Sequence, residues 1–184
     1  MSFLKNIDAT WTLFLDRDGV INHEKYKDYI HTWEEFKFYE GAKEAISIFS
    51  GIFKRIVIVT NQKGVGKGVT KLDDLQRIHT NMMEEIENAG GRIDAVFFCS
   101  DLDEDSPNRK PNPGMGYQAL EKFPEIDLNK SIMVGNTIGD MQFGRNLGIQ
   151  TVFILTTHPE MNRAEKSIDL FSESLIDFAH LLIK

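Results

Sequence analysis

Asp16 and Asp18 stand one residue apart, with Arg17 between them and Gly19 behind. Two carboxylates at that spacing can address one point while the backbone stays extended, because strand residues i and i+2 share a face. Held so close they repel, and a cation or a shared proton must offset them. Hard oxygen donors favour Mg²⁺. Taken alone, Asp-x-Asp-Gly also describes an acidic loop ending in a glycine turn. Three further stretches offer groups that handle ions. Thr60-Asn61-Gln62-Lys63 brings a hydroxyl, two amides and an ammonium ahead of Gly64, Gly66 and Gly68, a composition that lets backbone and side chains approach an anion. It is not a P-loop: Gly68 follows Lys67 where a hydroxyl is required, and Asn61 takes the place of the first glycine. Arg109-Lys110-Pro111 offers a basic pair. Gly135-Asn136-Thr137-Ile138-Gly139-Asp140 places oxygen-bearing side chains after a short apolar run.

The elements that must position these groups are legible from hydrophobic patterning. Trp11 to Leu15, Arg55 to Thr60, Ile93 to Cys99, Ser131 to Val134 and Thr151 to Leu155 read as short strands, and the first two, nearly all apolar, as strands buried on both faces. Helical spacing follows between them: Gly41 to Ser50, a stretch opened by Thr70 and Asp73 as a capping box and closed by Gly90-Gly91, Pro113 to Phe123 with Asn112 as cap, and Asp140 to Leu147 with Gly148 as stop. Ser172 opens a last helix. Strands alternating with helices predict an α/β fold with a Rossmann-like parallel sheet of about five strands and helices on both faces. In such a sheet ligands bind beyond the carboxyl ends of the strands, which is where all four polar stretches fall. Asn22 to Glu40 reads as a long aromatic-rich loop at the rim of that crevice; Tyr29, His31 and Trp33 are candidates to touch a ligand, although packing explains most aromatics. His79 has no partner at metal spacing, and the acidic run Asp101 to Asp105 reads as solvated charge.

The totals set bounds. At 184 residues the chain is read as one domain, 1–184, long enough for a sizeable core. A net charge of −7 argues against a nucleic-acid partner, since phosphate backbones call for surplus Lys and Arg. No run is long enough to cross a bilayer, Met1 to Thr10 lacks the apolar core of a signal peptide, and the single cysteine, Cys99, cannot form an internal disulfide. The expectation is a cytoplasmic protein, a monomer or weak homodimer.

In combination, Asp16-Arg17-Asp18-Gly19, Thr60-Asn61-Gln62, Arg109-Lys110-Pro111 and Gly135-Asn136-x-x-x-Asp140 resemble the four motifs of the haloacid dehalogenase (HAD) phosphatases. Asp-Arg-Asp-Gly-Val-Ile-Asn, the Asp28-Tyr29-Ile30-His31 segment and Arg-Lys-Pro-x-Pro-Gly-Met are similar to the branch holding heptose 1,7-bisphosphate and histidinol-phosphate phosphatases. The resemblance implies a small phosphorylated molecule as substrate, and roles for named residues. Asp16 would be the nucleophile that forms an aspartyl-phosphate, and Asp18 the general acid and base. Thr60 and Lys110 would hold the phosphoryl oxygens. Asn61, Gln62, Lys63 and Arg109 would contact substrate. Mg²⁺ would be held by Asp16, by the backbone carbonyl of Asp18 and by Asn136, with Asp140 orienting Lys110 or a metal-bound water.

The chain departs from that pattern at two places. Asn136 stands where the family usually has aspartate, which removes one negative charge from the metal site. Cys99 stands alone where many members of the branch carry a Cys and His cluster, so no structural zinc is expected. The spacing between motifs leaves no room for a cap domain, so the site should be open, walled by loops 22–40, 62–70 and 100–109. Heptose bisphosphate is the first reading of the substrate. Histidinol phosphate is the near rival, a nucleic-acid end the distant one, and a catalytically weak phosphate-binding protein is the alternative of another class.

Overall fold

In the computed structural model, residues 3–183 are described. The strands are β1 (Thr12–Leu15), β2 (Arg55–Asn61), β3 (Ala95–Cys99), β4 (Ser131–Gly135), β5 (Gln150–Ile154) and β6 (Leu170–Ser172). They form one sheet in the order β3-β2-β1-β4-β5-β6, and every pairing is parallel. Between them run α1 (Ala42–Ser50), α2 (Lys63–Gly66), α3 (Leu72–Asn88), α4 (Gly114–Lys122) and α5 (Ile138–Leu147), and α6 (Leu175–Leu182) closes the chain. This is the HAD-type, Rossmann-like sheet expected, with six strands rather than about five and with no cap domain among the described residues. The missed strand, β6, is three residues long and lies at the sheet edge on β5, too short to show a period.

β1 occupies the centre because its residues are apolar towards both layers. Leu13 and Leu15 pack with α1, α3 and α6 through Ile46, Phe49, Ile78, Met82 and Phe178, all buried. Phe14 points the other way, against Met115 of α4 and Phe143 of α5. Strands are added outwards on one side of β1 as β2 and β3, and then on its other side as β4, β5 and β6, so the order switches between β1 and β4. Their carboxyl ends therefore open a crevice at the switch point, where α/β sheets bind ligands.

Helix starts differ from the sequence expectation for local reasons. Thr70 does not cap α3; its hydroxyl bonds His31 Nδ1 at 2.8 Å, and the helix begins without a side-chain cap. Asn112 does not cap α4 either; its amide donates to the carbonyls of Ser106 and Glu104 and ties down the preceding loop. Both side chains find tertiary partners that outcompete the cap. α5 starts at Ile138, not Asp140, through a capping box in which Thr137 and Asp140 bond one another's backbone N–H. Ser174, rather than Ser172, caps α6.

The turn after β1 is held by a buried charge. Arg17 is fully buried, a costly placement unless every N–H has a partner. Its guanidinium donates to both carboxylate oxygens of Asp18 at 2.9 Å, to Gln62 Oε1 at 3.3 Å, and stands 3.0 Å from Nε2 of the buried His79. Guanidinium cannot accept, so His79 must present Nε2 unprotonated. Burial and the Arg17 charge accordingly push the His79 pKa down to about 3.

Two outcomes follow from this packing. Phe14→Ala should cost about 3–5 kcal/mol of unfolding free energy, because it empties space against α4 and α5; chemical denaturation measures it. His79 binds its proton in the unfolded chain near pH 6.5 but in the fold only near 3. The unfolded state therefore gains protons first, and stability is lost as pH falls through this window. His79→Gln, which keeps an acceptor for Arg17, should flatten the acid limb of the stability curve by at most about 1.4 kcal/mol per pH unit; an unchanged slope would sink the assignment.

Candidate active site

β1, β2, β4 and the loop before α4 deliver their polar ends to one cavity of about 190 Å³, lined by Asp16, Asp18, Thr60, Asn61, Lys110 and Asp140. Lys110 is its pivot. The ammonium is buried and lies 2.9 Å from Asp16 Oδ1 and 2.6 Å from Asp140 Oδ1. Its third bond goes to the carbonyl of Val59, 2.7 Å away. All three protons of the ammonium thus have acceptors. Burial opposes its charge, but Asp140 and Asp16 outweigh burial and hold its pKa above the usual lysine range.

One lysine serves two carboxylates, and a negative charge is left over. Burial, and then the Asp140 charge, push the Asp16 pKa up to about 7 against the pull of Lys110. Asp18 differs. Burial raises its pKa, yet the Arg17 charge and the hydrogen bonds from Asn22, Arg17 and Gln62 more than cancel that and hold it below the carboxylate range. The two aspartates thus have proton affinities driven apart, Asp16 upward and Asp18 downward, in the site without a cation or substrate.

The elements that place these groups use local sequence rules. Asn61 and Lys110 exchange hydrogen bonds of 3.0 Å between the Asn61 amide and the Lys110 backbone, clasping the Lys110 loop to the end of β2. Gln62 Nε2 donates to Asp18 Oδ2 and to Thr60 Oγ1, each at 2.9 Å, and so joins the acid to the hydroxyl. Asp140 accepts at Oδ2 from Thr137 while Oδ1 faces Lys110. A side chain at Gly135 would stand 2.3 Å from Asp140 Cβ, so glycine there lets Asp140 close on the strand. Gly19 is left-handed, φ +83°, and a β-carbon on it would strike the Asn136 amide at 2.0 Å.

Asn136 is fully buried, and its Nδ2 donates to Thr157 Oγ1 at 2.9 Å. Its Oδ1 has no hydrogen-bond partner, a state shared among the described buried side-chain atoms only by Asn22 Oδ1. A buried acceptor without a donor suits a cation. Among the described residues no three His, Cys, Asp or Glu side chains are placed to hold a metal ion together, so carboxylates alone do not build a metal centre. The three groups expected to hold Mg²⁺, the Asp16 carboxylate, the Asp18 carbonyl and the Asn136 amide oxygen, are hard oxygens of the kind it takes; Asp16 and Asp18 line the cavity, and Asn136 lies outside its lining.

Other expected contacts fall elsewhere. Lys63 and Arg109 line neither this cavity nor the next. Arg109 is buried and donates to the carbonyl of Asp101 at 3.1 Å. Trp33 stacks on Phe36 with ring centres 5.1 Å apart, and His31 bridges Thr70 and Asp28. Only Tyr29 of the three rim aromatics reaches a cavity. That second cavity, about 310 Å³, shares Asp18, Glu24 and Asn61 with the first and adds Lys25, Lys27 and Gln62. Glu24, Lys25 and Lys27 were not singled out from sequence, because an irregular polar loop carries no period to orient them. Partial burial and the Asp18 charge raise the Glu24 pKa.

The comparisons with known proteins agree with this geometry. A family model described as polynucleotide kinase 3 phosphatase matches residues 11–182. The chain is 35% identical over 138 residues to a D-glycero-alpha-D-manno-heptose-1,7-bisphosphate 7-phosphatase of Mycobacterium bovis, covering 74% of this chain and 73% of that one. It is 34% identical over 164 residues to the protein of that description in Campylobacter jejuni, covering 89% and 90%. The crystal structure of a D,D-heptose 1,7-bisphosphate phosphatase from B. bronchiseptica, complexed with magnesium and phosphate, superposes with a TM-score of 0.84 at 25% identity over 94% of this chain and 98% of that one. With a matching family model across nearly the whole chain and the same fold around the same crevice, the protein belongs to the polynucleotide kinase 3 phosphatase family of HAD-type phosphatases.

Proposed function

We propose that the protein is a Mg²⁺-dependent phosphomonoesterase working through an aspartyl-phosphate, with D-glycero-D-manno-heptose 1,7-bisphosphate as substrate. The observation that carries the reaction is Lys110 held between Asp16 and Asp140, beside Thr60 and Asp18, in a single cavity. The relatives' descriptions support the substrate.

The chemistry is assigned residue by residue. An Asp16 carboxylate oxygen attacks phosphorus, and the bond from phosphorus to the leaving oxygen breaks. Asp18 gives that oxygen a proton. Without substrate Asp18 is held ionised by Arg17, so it takes up its proton as the anionic phosphoryl group arrives and raises its proton affinity. Asp18 then removes a proton from the water that attacks the aspartyl-phosphate, and Asp16 and inorganic phosphate are released. Thr60 and Lys110 hold the phosphoryl oxygens while charge spreads over them. Asp140 keeps Lys110 aimed at the nucleophile. A divalent cation bound by Asp16, Asp18 and Asn136 would favour the ionised form of Asp16 and screen it from the phosphate it approaches.

Heptose 1,7-bisphosphate, histidinol phosphate and a 3′-phosphorylated oligonucleotide, each incubated with protein and Mg²⁺, test the reading by phosphate release. Release from the heptose that is lost in Asp16→Asn is expected. Release confined to another substrate would redirect the assignment, and release by Asp16→Asn would remove the nucleophile. For the cation, Asn136→Asp restores a carboxylate and should bind Mg²⁺ roughly tenfold more tightly than wild type in a calorimetric titration. Equal or weaker binding by the variant would refute the role given to Asn136.

A further inference from the structure

The loop after β1 contains a tight turn at the edge of the second cavity. The N–H of Asp28 donates to the carbonyl of Lys25 at 3.2 Å, closing Lys25-Tyr26-Lys27-Asp28. Lys27 has φ +57°, and among the described residues it is the only non-glycine in the left-handed region. The third position of such a turn ordinarily carries glycine or asparagine, because a β-carbon there is crowded. The turn itself does not explain a lysine. A residue kept against the local preference points to a use for its side chain.

The surroundings indicate that use. Lys25 on the same turn is committed to Glu35 at 2.8 Å and lies 3.9 Å from Asp28. Asp18 is paired with Arg17, and Asp28 also bonds His31. Lys27 has no carboxylate within ion-pair distance among the described residues; its ammonium stands 5.1 Å from the ring of Tyr26, itself 86% exposed. It is therefore the lysine of this cavity without a carboxylate partner, and the cavity shares Asp18, Glu24 and Asn61 with the one that holds Lys110. A phosphoryl group held by Thr60 and Lys110 leaves the rest of its molecule to extend into this second space, which offers Tyr29 as an apolar wall and Gln62 and Asn61 as hydrogen-bonding groups.

We infer that Lys27 is a specificity-determining residue, which grips a second phosphate on the far end of the leaving group and so favours bisphosphates over monophosphates. The inference rests on the phosphatase reading above and adds to it the residue that reads the distal anion. A lysine is a point charge on a flexible stem, suited to a phosphate whose position varies.

The test compares heptose 1,7-bisphosphate with heptose 7-phosphate, using the whole protein and its Lys27→Asn and Lys27→Arg variants. Asparagine accepts left-handed backbone, so the turn and the melting temperature should hold while the charge is lost; arginine keeps the charge. In Lys27→Asn, the ratio of kcat/KM for the bisphosphate to that for the monophosphate should fall about tenfold. The fall should lie in KM and shrink at high salt, and Lys27→Arg should restore most of the ratio. A ratio unmoved by Lys27→Asn overturns the inference, whatever happens to the two rates separately. If wild type releases phosphate from neither sugar, the proposed reaction has failed, and calorimetric binding of the two sugars then decides the subsite. A preference for the bisphosphate that Lys27→Asn abolishes would sustain it, and equal affinities in wild type would end it.

Discussion

A buried ammonium shared by two carboxylates is the constraint on which the rest of this molecule turns. Lys110, Asp16 and Asp140 come from three separate segments, and none could be buried alone without a large desolvation cost. Their mutual contacts require β1, β4 and the loop before α4 to end at one height. The parallel register, with Leu15 beside Val134 on one side and Ile58 on the other, delivers that alignment. The charge left unbalanced, one lysine for two aspartates, is also the charge a bound cation would offset in the proposed reaction. Stability and chemistry draw on the same surplus negative charge.

A second polar network backs the first. Arg17, His79, Gln62 and Asp18 form a buried patch beneath the nucleophile turn, and Gln62 links it to Thr60. The paired aspartates therefore sit in opposite surroundings only two residues apart. Asp16 faces a carboxylate and a shared lysine, whereas Asp18 faces a guanidinium of its own. This difference separates their proton affinities, and it arises from residues that touch no substrate in the proposed reaction. The buried Arg17 ties Asp18, Gln62 and His79 together beneath the cavity.

Much of this was legible in the residues. The five longer strands are apolar runs with breaks on either side, and parallel strands covered on both faces read in that way. The motif order placed Asp16, Thr60, Lys110 and Asp140 at strand ends before any coordinates, and the cavity contains all four. Errors clustered where a side chain had a choice of partners. Thr70 and Asn112 look like caps by local rule, but each finds a tertiary partner instead. Arg109 looks like an anion-binding residue beside Lys110, yet folds back on the carbonyl of Asp101.

The sequence by itself determined the sheet, the polar groups gathered at its carboxyl end and the family to which the chain belongs, because these depend on residue type and local period. Tertiary structure alone decided which groups share a proton or a charge. That Lys110 splits itself between two aspartates, that His79 supports Arg17, and that Lys27 and Glu24 line a cavity with Asn61 and Gln62 depend on distances between segments far apart in the chain. Side-chain partnerships of that kind are set by packing geometry, and no local pattern encodes them.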